Sequence, residues 1–415
     1  MLSLFRKKSV QPSPSVDAGH LALTGVGNPA DFGGIVRIEV TVSPEALPGS
    51  KLIAREQAVA ESSVSLGVVA PGENQSVGVH FCLLENGERQ IELVLEEPNG
   101  AQSKVLATLP VDNFGDLARE TAKLLRAAKV PTFFVGPCDS SVYPYTAHTA
   151  WFDRPDAGQH IDQLLASGKI TTVEADQLRF FVDQGYLVFE NLIDEQLIDQ
   201  VNAEIDDAIA KGYQGYQLGS SQRIEHLHMH YEGVAKLWLD RRHRRVADLI
   251  FGAQARPCQT LTYVFGSQQD AHQDTIHLTP FPAGYMCGTW IALQDVVPDS
   301  GELIVYPGSH REKRVRLSET GCAKVNGDWS EFGRTVCAEW AEMLPRYQPF
   351  VYRPKKGTVL VWHENLLHAG SVRKNASLER RSIVIHSFAD GAVAYYDSTG
   401  LLGSAVKREA LNEVT

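Results

Sequence analysis

The triplet His272-Gln273-Asp274 is the most informative stretch of this sequence. It contains two potential metal ligands at positions i and i+2, and in an extended segment such residues project from the same face. His272 and Asp274 can then reach one ion while Gln273 points away. Short polar triplets recur by chance, so the surrounding sequence has to support the interpretation.

A second histidine and an arginine-bearing strand follow the triplet. His368 lies in LLHAGS (366–371), and the strand-like run RRSIVIH occupies residues 380–386. Two neutral imidazoles and one carboxylate are the ligand set of non-heme Fe(II) oxygenases, which leaves coordination positions open for a cosubstrate and dioxygen. An arginine behind such a site suits a carboxylate, because its planar fork donates two parallel hydrogen bonds and stays charged. The sequence therefore predicts a mononuclear iron site.

The motifs around these residues occur in a defined order. They are FFVDQGYLVFENLI (180–193), TWIALQDV (289–296), SGELIVYPGSH (300–310) and GTVLVW (357–362), followed by the segment that holds His368. With these motifs, the chain from roughly 170 to 390 resembles the phytanoyl-CoA dioxygenase family of Fe(II)/2-oxoglutarate-dependent oxygenases. The resemblance implies a mainly β domain, a double-stranded β-helix of the jelly-roll form with helices packed outside.

The resemblance also implies a role for each matching residue. His272, Asp274 and His368 are the implied iron ligands and catalytic centre, and Arg380 is the implied partner of the far carboxylate of 2-oxoglutarate. Alignment backward from SIVIH favours Arg380 but assumes one insertion after His368, so Arg381 remains the alternative. Side chains that line the cosubstrate pocket are implied at Trp290, Ser371 and Gln259.

The implied activity is that of a dioxygenase. Fe(II), 2-oxoglutarate and dioxygen would together hydroxylate a small-molecule, lipid- or sugar-type metabolite, with release of succinate and carbon dioxide. The iron and its cosubstrate would perform the oxidation, while the protein would position the substrate and exclude water. The same residues would also serve desaturation, cyclisation or epoxidation. A non-catalytic jelly-roll binding protein is a further alternative, although such a protein has no use for Arg380.

Two other clusters have competing interpretations. His226, His228 and His230 alternate on one face of any strand formed there, but no companion cysteine or carboxylate pattern supports a second metal site. A loop of the substrate pocket is the favoured interpretation. The run RRHRR (241–245) lies in a predicted helix. A solvated, salt-bridged helix face is favoured, and a docking patch for an anionic group is the alternative.

Further histidines lie near the proposed ligands. His363 is predicted to pack near a strand end, and His310 to have a local structural role in its Pro-Gly-Ser-His turn. His277 is close enough to the triplet to contact a substrate.

Composition limits the remaining possibilities. A chain of 415 residues exceeds the usual size of one domain, so two domains are expected. The formal charge of −11 disfavours a nucleic-acid partner, and no apolar run reaches the ~20 residues that span a bilayer. Six scattered cysteines without a CxxC pair indicate reduced thiols in a cytoplasmic protein. These patterns select neither a particular substrate nor an oligomeric state.

The N-terminal third has a different pattern. Alternating or apolar runs at 36–42, 63–69, 76–83 and 90–95 are separated by turn-forming residues, and a helical period follows at 114–126. Short strands at this spacing predict a small antiparallel β-sandwich. The predicted organisation is a flexible tail over 1–17, the β-sandwich accessory domain over 18–112, a helical linker over 113–169 and the oxygenase domain over 170–410.

Overall fold

A computed structural model describes residues 21–24, 35–42, 47–57, 63–68, 74–83, 87–100, 103–113 and 115–402. The chain divides into two compact units. The first comprises residues 1–147, 390–396 and 400–404, and the second comprises residues 148–389, 397–399 and 405–415. The flexible tail predicted over 1–17 lies outside the described residues.

The first unit consists mainly of antiparallel strands. These are β1 (Leu21–Thr24), β2 (Ile35–Val42), β3 (Lys51–Glu56), β4 (Val64–Val68), β5 (Asn74–His80), β6 (Gly87–Glu96), β7 (Ser103–Asn113) and β8 (Phe133–Val135). They form two four-stranded sheets, with the orders β1-β2-β5-β8 and β4-β3-β6-β7. Each run predicted as a strand overlaps one of them, and the predicted helix is α1 (Asp116–Ala127).

The second unit contains ten strands and seven helices in the described residues. The strands are β9 (Tyr186–Phe189), β10 (Ile224–Glu225), β11 (Ala255–Tyr263), β12 (Thr279–Phe281), β13 (Met286–Ala292), β14 (Leu303–Val305), β15 (Phe350–Tyr352), β16 (Val359–His363), β17 (His368–Gly370) and β18 (Ser382–Ala389). The helices are α2 (Ala157–Ala166), α3 (Thr172–Gln184), α4 (Glu195–Ala210), α5 (Glu232–Trp238), α6 (Arg241–Phe251), α7 (Leu317–Thr320) and α8 (Ser330–Met343).

Two sheets organise this second unit. The larger has six strands in the order β10-β11-β18-β13-β16-β9, and the smaller has three in the order β15-β14-β17. From β13 to β18 the chain passes to β14 and β15 in the small sheet, returns at β16, crosses to β17 and returns again. This repeated crossing is the strand arrangement of a double-stranded β-helix, as predicted. One buried cluster draws side chains from both sheets, including Trp290, Trp362 and Val384 from the large sheet and Leu303 and Tyr352 from the small one.

Helix α3 leads into the edge strand β9 through defined caps. Thr171 and Glu174 form a capping box, in which the Glu174 N–H donates to Thr171 Oγ1 at 3.2 Å and the Thr171 N–H donates to Glu174 Oε2 at 2.8 Å. The helix ends at Gly185, whose φ of 80° is left-handed. A side chain at this position would also lie 2.4 Å from His310 Nδ1. Glycine is thus required at the turn from helix to strand.

After β18 the chain contributes two short strands to the first unit. These are β19 (Val393–Tyr396) and β20 (Leu401–Leu402), which pair antiparallel through Tyr395 and Leu402. None of the helices in the described part of the chain is long and apolar enough to cross a membrane.

Candidate metal centre

The side chains of His272, Asp274 and His368 meet in the second unit. Their possible ligand atoms all lie within 4.8 Å of one another, and each imidazole Nε2 lies 3.7 Å from Asp274 Oδ1. Asp274 and His368 are buried, and His272 is half-buried. Across the described ranges of the chain, no other cluster of three or more histidine, cysteine or acidic side chains could hold a metal ion.

The backbone holds the two histidines side by side. The His272 N–H donates to the His368 carbonyl at 3.0 Å, and the His368 N–H donates to the His272 carbonyl at 3.1 Å, as an isolated antiparallel bridge. Gln273 has extended dihedral angles, φ −102° and ψ 137°. His272 and Asp274 therefore project in the same direction, and both reach the side chain of His368.

Hydrogen bonds determine which nitrogen of each imidazole is available. Nδ1 of His272 lies 2.8 Å from the Asp270 carbonyl, and Nδ1 of His368 lies 3.0 Å from the Leu366 carbonyl. A carbonyl oxygen only accepts, so each Nδ1 carries the proton and each Nε2 presents its lone pair to the centre. Burial lowers the pKa of His272 from 6.5 to about 4, which keeps this ring neutral at physiological pH. A neutral imidazole is the form that binds a metal.

The two oxygens of Asp274 have different surroundings. Oδ1 faces the histidines, while Oδ2 accepts a hydrogen bond of 2.8 Å from the Trp362 indole N–H and lies 3.3 Å from His386 Nε2. Burial by itself would raise the pKa of Asp274. The neighbouring His368 and the hydrogen bond from His386 outweigh burial and hold the pKa of this carboxyl well below its usual range. Asp274 is therefore a carboxylate with one oxygen directed at the centre.

Gln273 extends away from the proposed ligands and is fully buried. Its Nε2 donates to the Lys313 carbonyl at 3.0 Å. Its Oε1 accepts from the Val315 N–H at 3.2 Å and from the Trp340 indole N–H at 3.1 Å. The residue between the two ligands thus ties them to helix α8 and to the segment before α7.

Arg380 and Arg381 have opposite surroundings. The Arg380 guanidinium is buried, donates from Nε to the Gly301 carbonyl at 2.9 Å and from Nη1 to Ser382 Oγ, and has no ion pair among the described residues. Burial lowers the pKa of Arg380 to about 10, so it remains charged at neutral pH. Arg381 instead forms ion pairs with Asp206 at 2.8 Å and Glu379 at 2.7 Å. Of the two, Arg380 is the buried cation that lacks an acidic partner.

The three residues predicted to line the cosubstrate pocket lie in different surroundings. Trp290 is buried, with its ring centroid 5.5 Å from the Arg380 guanidinium carbon. Ser371 donates from its hydroxyl to Glu302 Oε2 at 2.8 Å. Gln259 Nε2 lies 2.9 Å from His386 Nδ1. Only Trp290 of these three contacts Arg380 directly in the described structure.

His277 and His363, the other histidines near the triplet and near His368 in the sequence, have different surroundings. The ring of His277 lies 6.5 Å from that of His272 and packs near Trp329 and Phe332. His363 ends β16, and its Nε2 lies 3.2 Å from Asp153 Oδ1, which agrees with the predicted packing at a strand end. Of these two histidines, His277 lies nearer to the proposed ligands.

The strand that would place residues 226, 228 and 230 on one face does not form. Strand β10 ends at Glu225, His226 has a φ of 53°, and residues 227–229 form a turn of 3-10 helix. His228 Nδ1 lies 2.8 Å from Thr260 Oγ1. The left-handed residue at 226 interrupts the extended backbone that a shared face requires.

The arginine run 241–245 forms the first half of α6. Arg242 pairs with Asp194 at 2.9 Å and with Asp240 at 2.6 Å, and Arg245 pairs with Glu174 at 3.1 Å. These contacts match the favoured salt bridges, but His243 and Arg244 are buried, so only part of the run forms a solvated face.

A polar cavity of about 250 Å³ lies in the same unit. Its lining residues directly precede the segment of His226, His228 and His230, which the sequence analysis favoured as a loop of the substrate pocket. The residues that line it are Tyr213, Gln214, Gly215, Tyr216, Ser221, Arg223, Ile224 and Glu225.

Sequence reasoning missed the contacts that Trp362 and His386 make with Asp274. A signal for His386 was present, since positions 380, 382, 384 and 386 alternate onto one face of a strand that carries Arg380. No comparable signal marked Trp362, which lies in an apolar strand and resembles an ordinary core residue.

Comparison with known proteins agrees with the resemblance predicted from the motifs. Residues 181–382 match the family model described as "Phytanoyl-CoA dioxygenase (PhyH)". The mouse protein "Phytanoyl-CoA dioxygenase domain-containing protein 1" is 28% identical over 123 residues, which are 29% of this chain. The match spans 40% of the length of that curated relative.

Two solved structures are also similar to this chain. One is the non-heme alpha ketoglutarate dependent carbocyclase SnoK from nogalamycin biosynthesis, with 19% identity and a TM-score of 0.45 over 56% of this chain and 89% of that chain. Another is the apo form of EctD from S. alaskensis, with 18% identity and a TM-score of 0.45 over 57% of this chain and 86% of that chain.

Proposed function

We propose that this chain, whose residues 181–382 match the phytanoyl-CoA dioxygenase family, is an Fe(II)/2-oxoglutarate-dependent dioxygenase. Its reaction is the hydroxylation of a small-molecule, lipid- or sugar-type metabolite, with release of succinate and carbon dioxide. The observation that carries the proposal is the joint presence of the His272, Asp274 and His368 donors and a buried Arg380 without an acidic partner among the described residues.

The donor set fits Fe(II). Two neutral imidazoles with free Nε2 lone pairs and one ionised carboxylate oxygen are the ligands that such iron sites use. Both histidines already have the tautomer that binds a metal, because backbone carbonyls accept from their Nδ1–H groups. When bound there, Fe(II) with 2-oxoglutarate and dioxygen supplies the oxidising chemistry.

Arg380 is the proposed anchor for the far carboxylate of 2-oxoglutarate. A buried charge is costly unless it is paired, so a guanidinium whose acceptors among the described residues are a carbonyl and a hydroxyl favours an anionic ligand. Trp290 supports this role, since its ring flanks the guanidinium at 5.5 Å. Ser371 and Gln259 remain candidate pocket residues, although their side chains contact Glu302 and His386.

The protein's own contribution is to orient and to exclude water. Trp290, Trp362, Tyr263 and Val384 belong to one buried cluster on the inner face of the large sheet. An apolar wall of this kind strengthens the electrostatic interactions of the site and limits access of bulk water.

Anaerobic titration with Fe(II) and 2-oxoglutarate tests the proposal. The expected result is the weak visible charge-transfer band of a chelated complex in the wild type, lost in His368→Ala and weakened in Arg380→Ala. No band at saturating metal and cosubstrate would contradict the dioxygenase and favour a jelly-roll binding protein. If the band forms, product analysis with candidate substrates separates hydroxylation from desaturation, cyclisation or epoxidation.

The remaining parts of the proposal rest on sequence patterns. Strands β1 to β7 support the proposed β-sandwich accessory domain over 18–112, while β8 of the same sheets lies in the proposed linker over 113–169, which precedes the proposed oxygenase domain over 170–410. The scattered cysteines support a cytoplasmic location. The acidic net charge supports a small-molecule substrate over a nucleic acid.

A further inference from the structure

The structure assigns to Trp362 and His386 the role of positioning residues that clamp Oδ2 of Asp274, so that this carboxylate offers only Oδ1 to the metal. The assignment rests on the proposed iron site, and it extends that site to residues that bind neither metal nor cosubstrate. It follows from four observations in the large sheet.

The first observation is that both donors reach the same oxygen. The Trp362 indole N–H donates to Asp274 Oδ2 at 2.8 Å, and His386 Nε2 lies 3.3 Å from that atom. Asp274 Oδ1 lies 3.7 Å from the Nε2 of each histidine ligand. The carboxylate is therefore divided into a side bonded to the protein and a side that faces the metal.

The second observation is that the donors belong to one row across the sheet. His386 of β18 and Trp362 of β16 are both register partners of Gly288, which lies on β13 between them. Neighbouring residues in a register row project from the same face of a sheet. The two donors thus approach Asp274 from two strands that are separated by a third.

The third observation is the glycine between them. A Cβ at position 288 would lie 2.2 Å from Cε2 and 2.7 Å from Nε1 of the Trp362 indole. Atoms that are not bonded to each other do not approach so closely, and the buried indole has little room to move aside. Gly288 is needed because the indole occupies the space of its absent side chain and reaches Asp274 in that position.

The fourth observation is a further hydrogen bond behind His386. Gln259 of β11 is the next residue in the same row, and its Nε2 lies 2.9 Å from His386 Nδ1. An amide NH₂ only donates, so Nδ1 accepts, and the proton of a neutral ring must then be on Nε2. Gln259 thereby directs an N–H of His386 at Asp274.

These contacts control how many positions of the metal are filled. With Oδ2 engaged by two donors, Asp274 would offer one oxygen to the metal, which would leave positions open for other ligands. Loss of one donor would hold Oδ2 less firmly and allow the carboxylate to turn away from the metal. Partners that orient ligands typically change metal affinity by about 10–100-fold when they are removed.

The test uses binding of Mn(II) alone, followed by the electron paramagnetic resonance signal of the free ion, and the ligand-field absorption of Co(II). Neither readout depends on turnover. Trp362→Phe removes the indole N–H and keeps an aromatic ring. His386→Leu removes the second donor, and His386→Gln restores an N–H donor. Trp151→Phe is the matched control, because Trp151 is also buried and donates its indole N–H, at 2.8 Å, to the Ile250 carbonyl.

We expect Trp362→Phe and His386→Leu to raise the Kd for Mn(II) about 10–100-fold and to alter the Co(II) spectrum. We expect His386→Gln to stay within about threefold of the wild type, and Trp151→Phe to bind as the wild type does. The clamp is overturned if both donor variants bind Mn(II) as tightly as the wild type, or if Trp151→Phe weakens binding as much as they do. Should one donor variant not fold, by circular dichroism, the other decides. Wild-type protein that binds no Mn(II) would instead overturn the iron site itself.

Discussion

His272 and His368 are joined by two backbone hydrogen bonds, of 3.0 and 3.1 Å, between segments that are far apart in the sequence. The two imidazoles are therefore held together by the fold rather than by a metal. A site whose ligands are already in place loses little conformational freedom when the ion binds.

His368→Ala should abolish tight metal binding. It removes one of three ligands and leaves the backbone bridge in place, so we expect the Kd for Mn(II) to rise by more than about 100-fold, beyond the effect of residues that only orient ligands. His230→Ala is the control, because His230 is exposed and lies outside the centre. Equal affinity of the two variants would exclude His368 as a ligand.

Arg380→Lys should weaken the binding of 2-oxoglutarate. Lysine keeps the charge but lacks the planar fork, so one charge-assisted hydrogen bond is lost, at a cost of about 1.5–3 kcal/mol or about 10–100-fold in Kd. Arg381→Lys is the matched control, since Arg381 pairs with Asp206 and Glu379. Calorimetric titration of the metal-loaded protein measures both. A larger loss in Arg381→Lys would reverse the assignment.

Gly288→Ala should displace the Trp362 indole and weaken metal binding, because the new Cβ would lie 2.2 Å from the ring. We expect an increase in the Kd for Mn(II) of about 10-fold or more. Gly333→Ala in α8 is the control, because no atom lies within 4 Å of the added Cβ. Alanine in that helix should leave metal binding unchanged and stabilise the fold by up to about 1 kcal/mol. Unchanged Mn(II) affinity in Gly288→Ala would contradict the fit of the indole.

The buried His243 should make the metal-free protein less stable in mild acid. Burial lowers the pKa of His243 from 6.5 to about 4, and its Nε2 lies 2.8 Å from the Leu237 carbonyl. Below pH 6.5 the unfolded chain binds a proton that the folded chain does not bind until about pH 4. The free energy of unfolding therefore falls as the pH falls through this window, by roughly 3 kcal/mol at its lower end for this one group.

Urea unfolding at several pH values, with a chelator present, measures this effect. All six tryptophans of the chain lie in the second unit, so their fluorescence reports the unfolding of that unit. Stability of His243→Gln should fall less steeply between pH 6.5 and 4.5 than that of the wild type. Parallel curves for the two proteins would show that His243 does not titrate in this way.

The jelly-roll core and the meeting of His272, Asp274 and His368 could be predicted because the ordered motifs resemble those of a known family, and this resemblance implies both. An i, i+2 pair in an extended segment needs no knowledge of the rest of the fold, and the ordered motifs indicated the strand that holds His368. The choice of Arg380 over Arg381 was left open by the sequence. In the structure the difference is plain, because acidic residues from α4 and from the neighbouring loop pair with only one of them.

The contacts of Trp362 and His386 could not be predicted in the same way. They depend on the register of three strands, in which Gly288 lies opposite both residues, and strand register is a property of the assembled sheet. The histidines at 226, 228 and 230 are the opposite case, a sequence pattern without a structural counterpart. Their spacing is regular in sequence, but a left-handed residue at 226 ends the strand that would have made it meaningful.

Gln273 couples the position of the proposed ligands to the position of helix α8. Its carboxamide is hydrogen-bonded to Lys313, Val315 and Trp340, so this one side chain links the backbone that carries His272 and Asp274 to α8 and to the segment before α7. The ring of Trp340 also lies 6.2 Å from that of His272. A shift of α8 would therefore move His272 and Asp274 together, because Gln273 connects the backbone of both ligands to that helix.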